Sequence, residues 1–134
     1  MSAQSSSAPH EAQLSPLARE FLAQNTMRSI FGIPEDALDA VMATAYQLYQ
    51  AGRYPEVAVL CRGLIAADHT YWWSYSLYAA TLRRLGRLRD AVAQLDQGLV
   101  YEPGAPKLVA MRIELLAEIA REAETNANDS HAAA

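Results

Sequence analysis

Apolar residues recur three and four positions apart over most of the sequence, which is the pattern of amphipathic α-helices. Five successive stretches show it, and none shows the sustained alternation of apolar and polar residues that a half-buried strand requires. The stretches are carried by Leu38, Val41, Met42, Ala45, Leu48 and Tyr49; by Val57, Cys61, Leu64 and Ile65; by Tyr75, Tyr78, Leu82 and Leu85; by Val92, Leu95 and Leu99; and by Val109, Ile113, Leu116 and Ala120. The sequence therefore predicts an all-α fold.

Capping and turn-forming residues indicate where these helices begin and end. Ser15 followed by Pro16 suits the start of an N-terminal helix, and Gly32 can end that helix in the left-handed conformation. Pro34 can open the next helix. Later turns are marked by Gly52, by Gly86 and by the pair Pro103-Gly104. Because the connections are short, successive helices should be antiparallel neighbours.

An internal repeat organises the middle of the chain. Thirty-four residues separate Gly52 from Gly86, and the two surrounding segments align. Each segment places an alanine seven positions before its glycine and a leucine four before it: Ala45 and Leu48 in the first, Ala79 and Leu82 in the second. Small residues let two helices approach closely, and the glycine turns the chain between them. The pattern resembles the tetratricopeptide repeat, whose period is 34 residues.

The resemblance and the helical periodicity together predict one folded domain. About two helical hairpins should occupy 35–103, preceded by a helix over 15–32 and followed by a capping helix over 106–123. The small and polar stretches at 1–14 and 125–134 have little to bury and are expected to be disordered tails.

Stacked hairpins curve, and the first helix of each hairpin lines the concave face. Counting from the repeat frame, the residues expected there are Met42, Tyr46, Tyr49 and Gln50; Trp73, Ser76, Leu77, Ala80, Arg83 and Arg84; and, in the last helix, Lys107, Ala110, Met111 and Glu114. Rings and methionines with basic residues at one margin suit an extended peptide with apolar anchors. The alternative is that the rings, above all Trp73 and Leu77, fill the core of a short stack.

Composition narrows the classes of function. Eleven basic and fifteen acidic residues give a net charge of −4, which disfavours nucleic-acid binding through an overall positive field. Nucleic-acid binding could otherwise rest only on the basic cluster Arg83, Arg84, Arg87 and Arg89, which also fits a solvated turn. No window is apolar and long enough to span a membrane, and residues 1–13 lack the features of a secretory signal.

The chain offers little catalytic or metal-binding chemistry. A single cysteine, Cys61, excludes an intramolecular disulfide and a cysteine-based zinc cluster. His69 lies eight positions from Cys61, so a Cys/His pair is conceivable, but a buried thiol beside a helix-terminal histidine explains both residues. We expect no enzyme activity, no metal and no cofactor.

The segment before the repeats carries a second resemblance. Residues 21–38 begin with the pair Phe21-Leu22 and reach Gly32-Ile33 shortly before acidic residues, and Asp68-His69 ends the first repeat. The segment is similar to the entry segment of the class II chaperones of bacterial type III secretion systems, although Gln24-Asn25 stands where those chaperones commonly have paired glycines. The similarity extends over about 21–103.

This resemblance implies a cytoplasmic chaperone for hydrophobic translocator proteins, which form a pore in the host membrane and serve virulence. An extended translocator segment would lie in the concave groove, at Tyr46 and Tyr49 and more weakly at Met42, Trp73, Ser76 and Leu77. Binding would keep the translocator soluble and export-competent. Family members often form homodimers through the N-terminal helix, which here carries Leu17, Phe21, Leu22, Met27, Ile30 and Phe31. No nucleic acid and no stable membrane insertion are expected.

Two other binding functions fit the same fold. The protein could be a co-chaperone that guards a needle or filament subunit of the same machine, in which case the ligand would be an amphipathic helix. It could also be a general tetratricopeptide scaffold or adaptor.

Overall fold

A computed structural model describes residues 15–133, and within that range the chain forms helices and no strand, which confirms the predicted all-α fold. The helices are α1 (Pro16–Gln24), α2 (Met27–Ile30), α3 (Glu35–Gln50), α4 (Tyr54–Ala67), α5 (Trp73–Arg84), α6 (Leu88–Tyr101) and α7 (Pro106–Ala133). Helices α3 and α4 form the first hairpin, α5 and α6 form the second, and α7 packs against α6.

The turns inside the two hairpins have the same backbone structure. Gly52 and Gly86 adopt φ angles of 77° and 78°, a left-handed conformation that favours glycine. The following backbone N–H groups close the turns: Arg53 donates to the Leu48 carbonyl at 2.9 Å, and Arg87 donates to the Leu82 carbonyl at 2.8 Å. This is the Schellman cap of a helix C-terminus, and it explains why the glycines recur with the period of the repeat.

Small residues allow the helices to pack closely. Ala45 and Ala79, which the repeat pattern singled out, are completely buried. Gly98 of α6 has a similar role, because a Cβ atom at this position would lie 3.0 Å from Leu108 Cδ1 and 3.0 Å from Tyr75 Cβ. The second hairpin and α7 together enclose the main buried cluster, which consists of Ala79, Leu82, Leu88, Ala91, Leu95, Ala105, Leu108 and Leu115.

The N-terminal segment differs from the single helix predicted over 15–32. Ser15 caps α1 as expected, with its Oγ accepting from Ala18 N at 3.1 Å, but α1 ends at Gln24. The Thr26 side chain then accepts a hydrogen bond from Ser29 N at 3.0 Å and begins the short helix α2. The hydroxyl competes for a backbone donor and starts a new helix at this point.

The C-terminal helix is longer than the predicted capping helix over 106–123. Helix α7 continues to Ala133, so 125–133 are helical rather than the expected disordered tail. The physical reason is that the alanine-rich stretch after Glu122 contains neither glycine nor proline, and nothing in it stops the helix. Described side chains from 120 to 131 are exposed on every side. The tail predicted over 1–14 lies outside the described residues.

No helix within residues 15–133 is both long enough and apolar enough to cross a bilayer.

Candidate functional site

A cavity of about 840 Å3 opens on the face formed by α3, α5 and the start of α7. We call it the groove. Its lining residues are Asp39, Met42, Ala43, Tyr46, Gln47, Tyr49, Gln50, Tyr71, Trp73, Ser76, Leu77, Ala80, Lys107 and Met111. Most of them are aromatic or aliphatic, so the groove presents apolar surface between polar edges.

The repeat determines which residues meet in the groove. Thirty-four positions separate Asp39 from Trp73 and Trp73 from Lys107, and all three line the groove near the first turns of α3, α5 and α7. Since α5 and α7 are both antiparallel to α6, they run in the same direction. Arg84, at the last turn of α5, therefore lies on the edge opposite to Lys107.

Tyrosine rings form one wall of the groove. The Tyr46 and Tyr49 rings stack with centroids 6.5 Å apart, and Tyr54 meets Tyr49 edge-on at 5.4 Å. The Arg84 guanidinium lies 5.9 Å from the Tyr49 ring centroid, and its Nε donates to the Tyr49 hydroxyl at 3.2 Å. Tyr46 remains 52% exposed, so this wall combines a fixed arrangement of rings with an accessible apolar surface.

Trp73 of α5 forms another part of the lining, and Trp72 lies behind it without lining the groove. Trp73 is 47% exposed, and its ring stacks on that of Trp72 with centroids 3.9 Å apart. Leu77 and Ser76 are buried beneath it, on the floor of the groove. The interpretation that Trp73 fills the core therefore does not hold, whereas Leu77 belongs both to the floor and to the buried cluster around Ala45.

A hydrogen bond joins two residues that line the groove on the side of the first repeat. The Tyr71 hydroxyl donates to Asp39 Oδ1 at 2.5 Å. Burial raises the pKa of the Tyr71 hydroxyl above its ordinary value, and the hydrogen bond to Asp39 adds to the effect. The hydroxyl therefore stays protonated at neutral pH, and Asp39 stays an acceptor with a fixed partner.

A second, more polar cavity of about 460 Å3 continues the groove towards α7. The two cavities share Tyr49, Ala80 and Met111. Here Arg83 Nε lies 2.9 Å from Glu118 Oε1, in the geometry of an ion pair rather than of an aligned hydrogen bond, and Arg83 Nη1 lies 3.9 Å from Glu114. Arg83 is therefore already paired within the protein.

Nearly all of the predicted residues line one or both of these cavities, and Ala110, which was also predicted, lines neither. The larger groove contains Met42, Tyr46, Tyr49, Gln50, Trp73, Ser76, Leu77, Ala80 and Met111, while Arg83 and Arg84 line the smaller cavity. Sequence reasoning missed Asp39, Ala43, Gln47 and Tyr71. The repeat could have found Asp39 and Ala43, which are 34 positions before Trp73 and Leu77. Tyr71 lies before α5 and carries no such signal.

The surroundings of Cys61, of His69 and of the arginine cluster give little support to catalysis, metal binding or nucleic-acid binding. Cys61 is completely buried, and that burial raises the pKa of its thiol to about 12, so the thiol is protonated at neutral pH. His69 packs its ring against Tyr101 at 4.8 Å. Within 15–133, no group of three histidine, cysteine, aspartate or glutamate side chains is placed to hold a metal ion. In the basic cluster, Arg87 pairs with Asp90.

A second exposed apolar surface lies on α1 and α2. We call it the N-terminal patch, and it consists of Leu17, Phe21, Met27, Ile30 and Phe31. Each of these side chains is more than half exposed. Leu22, which was predicted to belong to this surface, has a side chain that lies outside the described part of the structure.

Comparison with solved structures finds two similar folds. One is the type III secretion translocator chaperone SycD of Yersinia enterocolitica, with a TM-score of 0.69 and 22% identity over 75% of each chain. The other belongs to a type III secretion system complex from Aeromonas hydrophila, with a TM-score of 0.67 and 20% identity over 79% of this chain and 71% of that one. No protein-family model and no curated sequence matches. The chain thus has the fold of a type III secretion translocator chaperone.

Proposed function

We propose that this protein is a cytoplasmic class II chaperone of a type III secretion system and that its groove binds an extended segment of a hydrophobic translocator protein. One observation carries the proposal: the helices that begin each repeat place accessible rings, Tyr46 and Trp73 among them, in one groove of a SycD-like fold. The resemblance of residues 21–38 to the entry segment of these chaperones supports the same family.

The lining of the groove suits the binding of a translocator segment rather than catalysis. Apolar anchors of the bound segment would contact the Tyr46 and Trp73 rings and cover Leu77 and Met111 on the floor. Removing this apolar surface from water provides the affinity, and polar edges let the rest of the segment remain solvated. Ordering an extended segment opposes binding, so the affinity stays finite, as export of the translocator requires.

We also propose that the N-terminal patch joins two copies of the chain. Five large apolar side chains within 17–31 are each more than half exposed. A second copy would bury the patch, as expected for an apolar surface of this size on a folded protein. Replacing Phe21 and Phe31 by aspartate should then give particles of 14.7 kDa in sedimentation equilibrium, whereas Val59→Asp should keep the larger mass. A mass of 14.7 kDa for the unaltered protein would contradict the dimer, and a larger mass for the Phe21/Phe31 variant would contradict this interface.

The main test is co-expression with a hydrophobic translocator protein of a type III secretion system. We expect that protein to become soluble and to co-purify, and we expect the double variant Tyr46→Ala/Trp73→Ala to lose both effects. Val59→Ala is the matched control, because Val59 is 57% exposed on α4 and does not line the groove. Co-purification of a needle or filament subunit instead would favour the co-chaperone. Loss of binding with the Val59 variant alone would place the site elsewhere.

A further inference from the structure

We propose that the segment held in the groove is acidic as well as apolar, and that its aspartate or glutamate side chains pair with Arg84 and Lys107. The inference rests on the proposed function and specifies the chemistry of its ligand. It is carried by the distribution of ion pairs in the described residues, which leaves two cations of this surface without a carboxylate.

Five of the nine arginines whose side chains the structure describes have an acidic partner. Ion pairs link Arg28 to Asp68, Arg53 to Glu56, Arg83 to Glu114 and Glu118, Arg87 to Asp90, and Arg112 to Asp96. Within 15–133, neither Arg84 nor Lys107 has a carboxylate at ion-pair distance, although the whole chain has an excess of acidic residues. Both of them line the groove or its polar continuation.

Each acidic group of the same surface already has a hydrogen-bond donor or a positive charge beside it. Asp39 accepts from the Tyr71 hydroxyl at 2.5 Å, and Glu114 and Glu118 lie beside Arg83. They are therefore poor partners for basic residues of a ligand. The unmatched groups are both positive, so charge complementarity selects a ligand with carboxylates.

The geometry of Arg84 leaves it able to bind a carboxylate. Only its Nε is used, in the hydrogen bond to the Tyr49 hydroxyl, and the ring beneath holds the guanidinium plane in place. The two Nη groups remain for a bidentate contact. Lys107 lies on the opposite edge, in the first turn of α7, and supplies a more mobile charge. Acidic residues on either side of the apolar anchors can therefore reach the two cations.

Selection from a displayed library of random peptides of about twelve residues tests this ligand chemistry. Against the full chain, we expect enrichment of peptides that combine apolar residues with aspartate or glutamate. Against Arg84→Glu/Lys107→Glu, we expect the preference to change to apolar peptides with lysine or arginine. The matched control is Arg89→Glu/Arg121→Glu, which changes the same amount of charge away from the groove and should keep the acidic preference.

Affinity measurements on the best selected peptide complete the test. Replacing its aspartates and glutamates by asparagine and glutamine should weaken binding about threefold to tenfold at low salt, as for accessible ion pairs, and the difference should shrink at about 0.5 M salt. Enrichment of apolar peptides with no charge preference would overturn this inference and leave the proposed function intact. Absence of any apolar enrichment would overturn both.

Discussion

Arg28 of helix α2 donates from Nε to Asp68 Oδ2 at 2.8 Å and thereby joins the N-terminal segment to the end of α4. The Asp68 side chain is almost fully buried, and its other oxygen accepts from Thr70 N at 2.9 Å and from Thr70 Oγ1 at 2.6 Å. Arg28 also donates to the Ile33 carbonyl at 3.2 Å. A single carboxylate therefore fixes both the loop before α5 and the position of α2.

This carboxylate makes the attachment of α2 sensitive to acid. Burial alone would raise the pKa of Asp68, but the hydrogen bonds from Thr70 and Arg28 outweigh it and lower the pKa below its ordinary value of 3.8. A lowered pKa stabilises the folded state above the ordinary value, and the contribution is lost as pH falls through the lowered one. Asp68→Asn should reduce the free energy of unfolding at pH 7 by about 1–3 kcal/mol. When the pH is lowered, the free energy of unfolding of this variant should decrease less than that of the unaltered protein.

Urea unfolding at neutral and acidic pH measures this effect. Asp90→Asn is the matched control, because Asp90 is exposed and its pair with Arg87 contributes little. If Asp68→Asn and the unaltered protein lose the same stability on acidification, Asp68 is not the group that titrates.

Two glycines should respond in opposite ways to the same substitution. Gly63 lies within α4 with open space around its Cβ position, so Gly63→Ala should stabilise the fold by about 1 kcal/mol through helix propensity. At Gly98 the new methyl group would press on Tyr75 and Leu108, and Gly98→Ala should destabilise by about 1–3 kcal/mol. Thermal or urea unfolding compares them, and a stabilised Gly98 variant would show that this packing is looser than described.

Cys61 should be inert in the folded protein. Burial raises its thiol pKa to about 12, so at neutral pH the nucleophilic thiolate is scarce and no reagent can reach it. A chromogenic disulfide reagent should react with less than one thiol per chain until urea unfolds the protein. Rapid stoichiometric reaction without urea would mean that the first hairpin opens readily or that Cys61 has a functional role.

Tyr49 should contribute to ligand binding through its ring. Tyr49→Ala removes a wall of the groove and the platform under Arg84, and we expect peptide binding to weaken by about 1–3 kcal/mol. Tyr49→Phe keeps the ring and should retain most of the affinity. Titration calorimetry with a translocator peptide, alongside circular dichroism to check helicity, measures both variants. Equal affinity for Tyr49→Ala and the unaltered protein would remove Tyr49 from the site.

The repeated features of the fold could be predicted from sequence because local rules determine them. Gly52 and Gly86 are needed for left-handed caps, and Ala45 and Ala79 are needed for close helix packing. Their spacing located the helices that line the groove. The break at Thr26 was harder to predict, because it depends on one side-chain hydrogen bond within an otherwise helical pattern.

The edges of the site depend on contacts between distant parts of the chain. Tyr71 reaches the groove because its hydroxyl meets Asp39, which is 32 positions away. Arg83 and Arg84 were both expected to face a ligand, and both line the smaller cavity, but of the two only Arg83 is paired with an acidic residue, Glu118 of α7. No local pattern distinguishes these two arginines, so only the packed structure assigns their partners.

Photo-crosslinking during co-expression with a hydrophobic translocator protein tests the central claim most directly. A photoreactive phenylalanine would replace Tyr46, Trp73 or, as a control on the outer surface, Val59. The groove account predicts that adducts with the partner form at positions 46 and 73 and not at 59. A partner that co-purifies but crosslinks at 59, or at neither groove position, would contradict it.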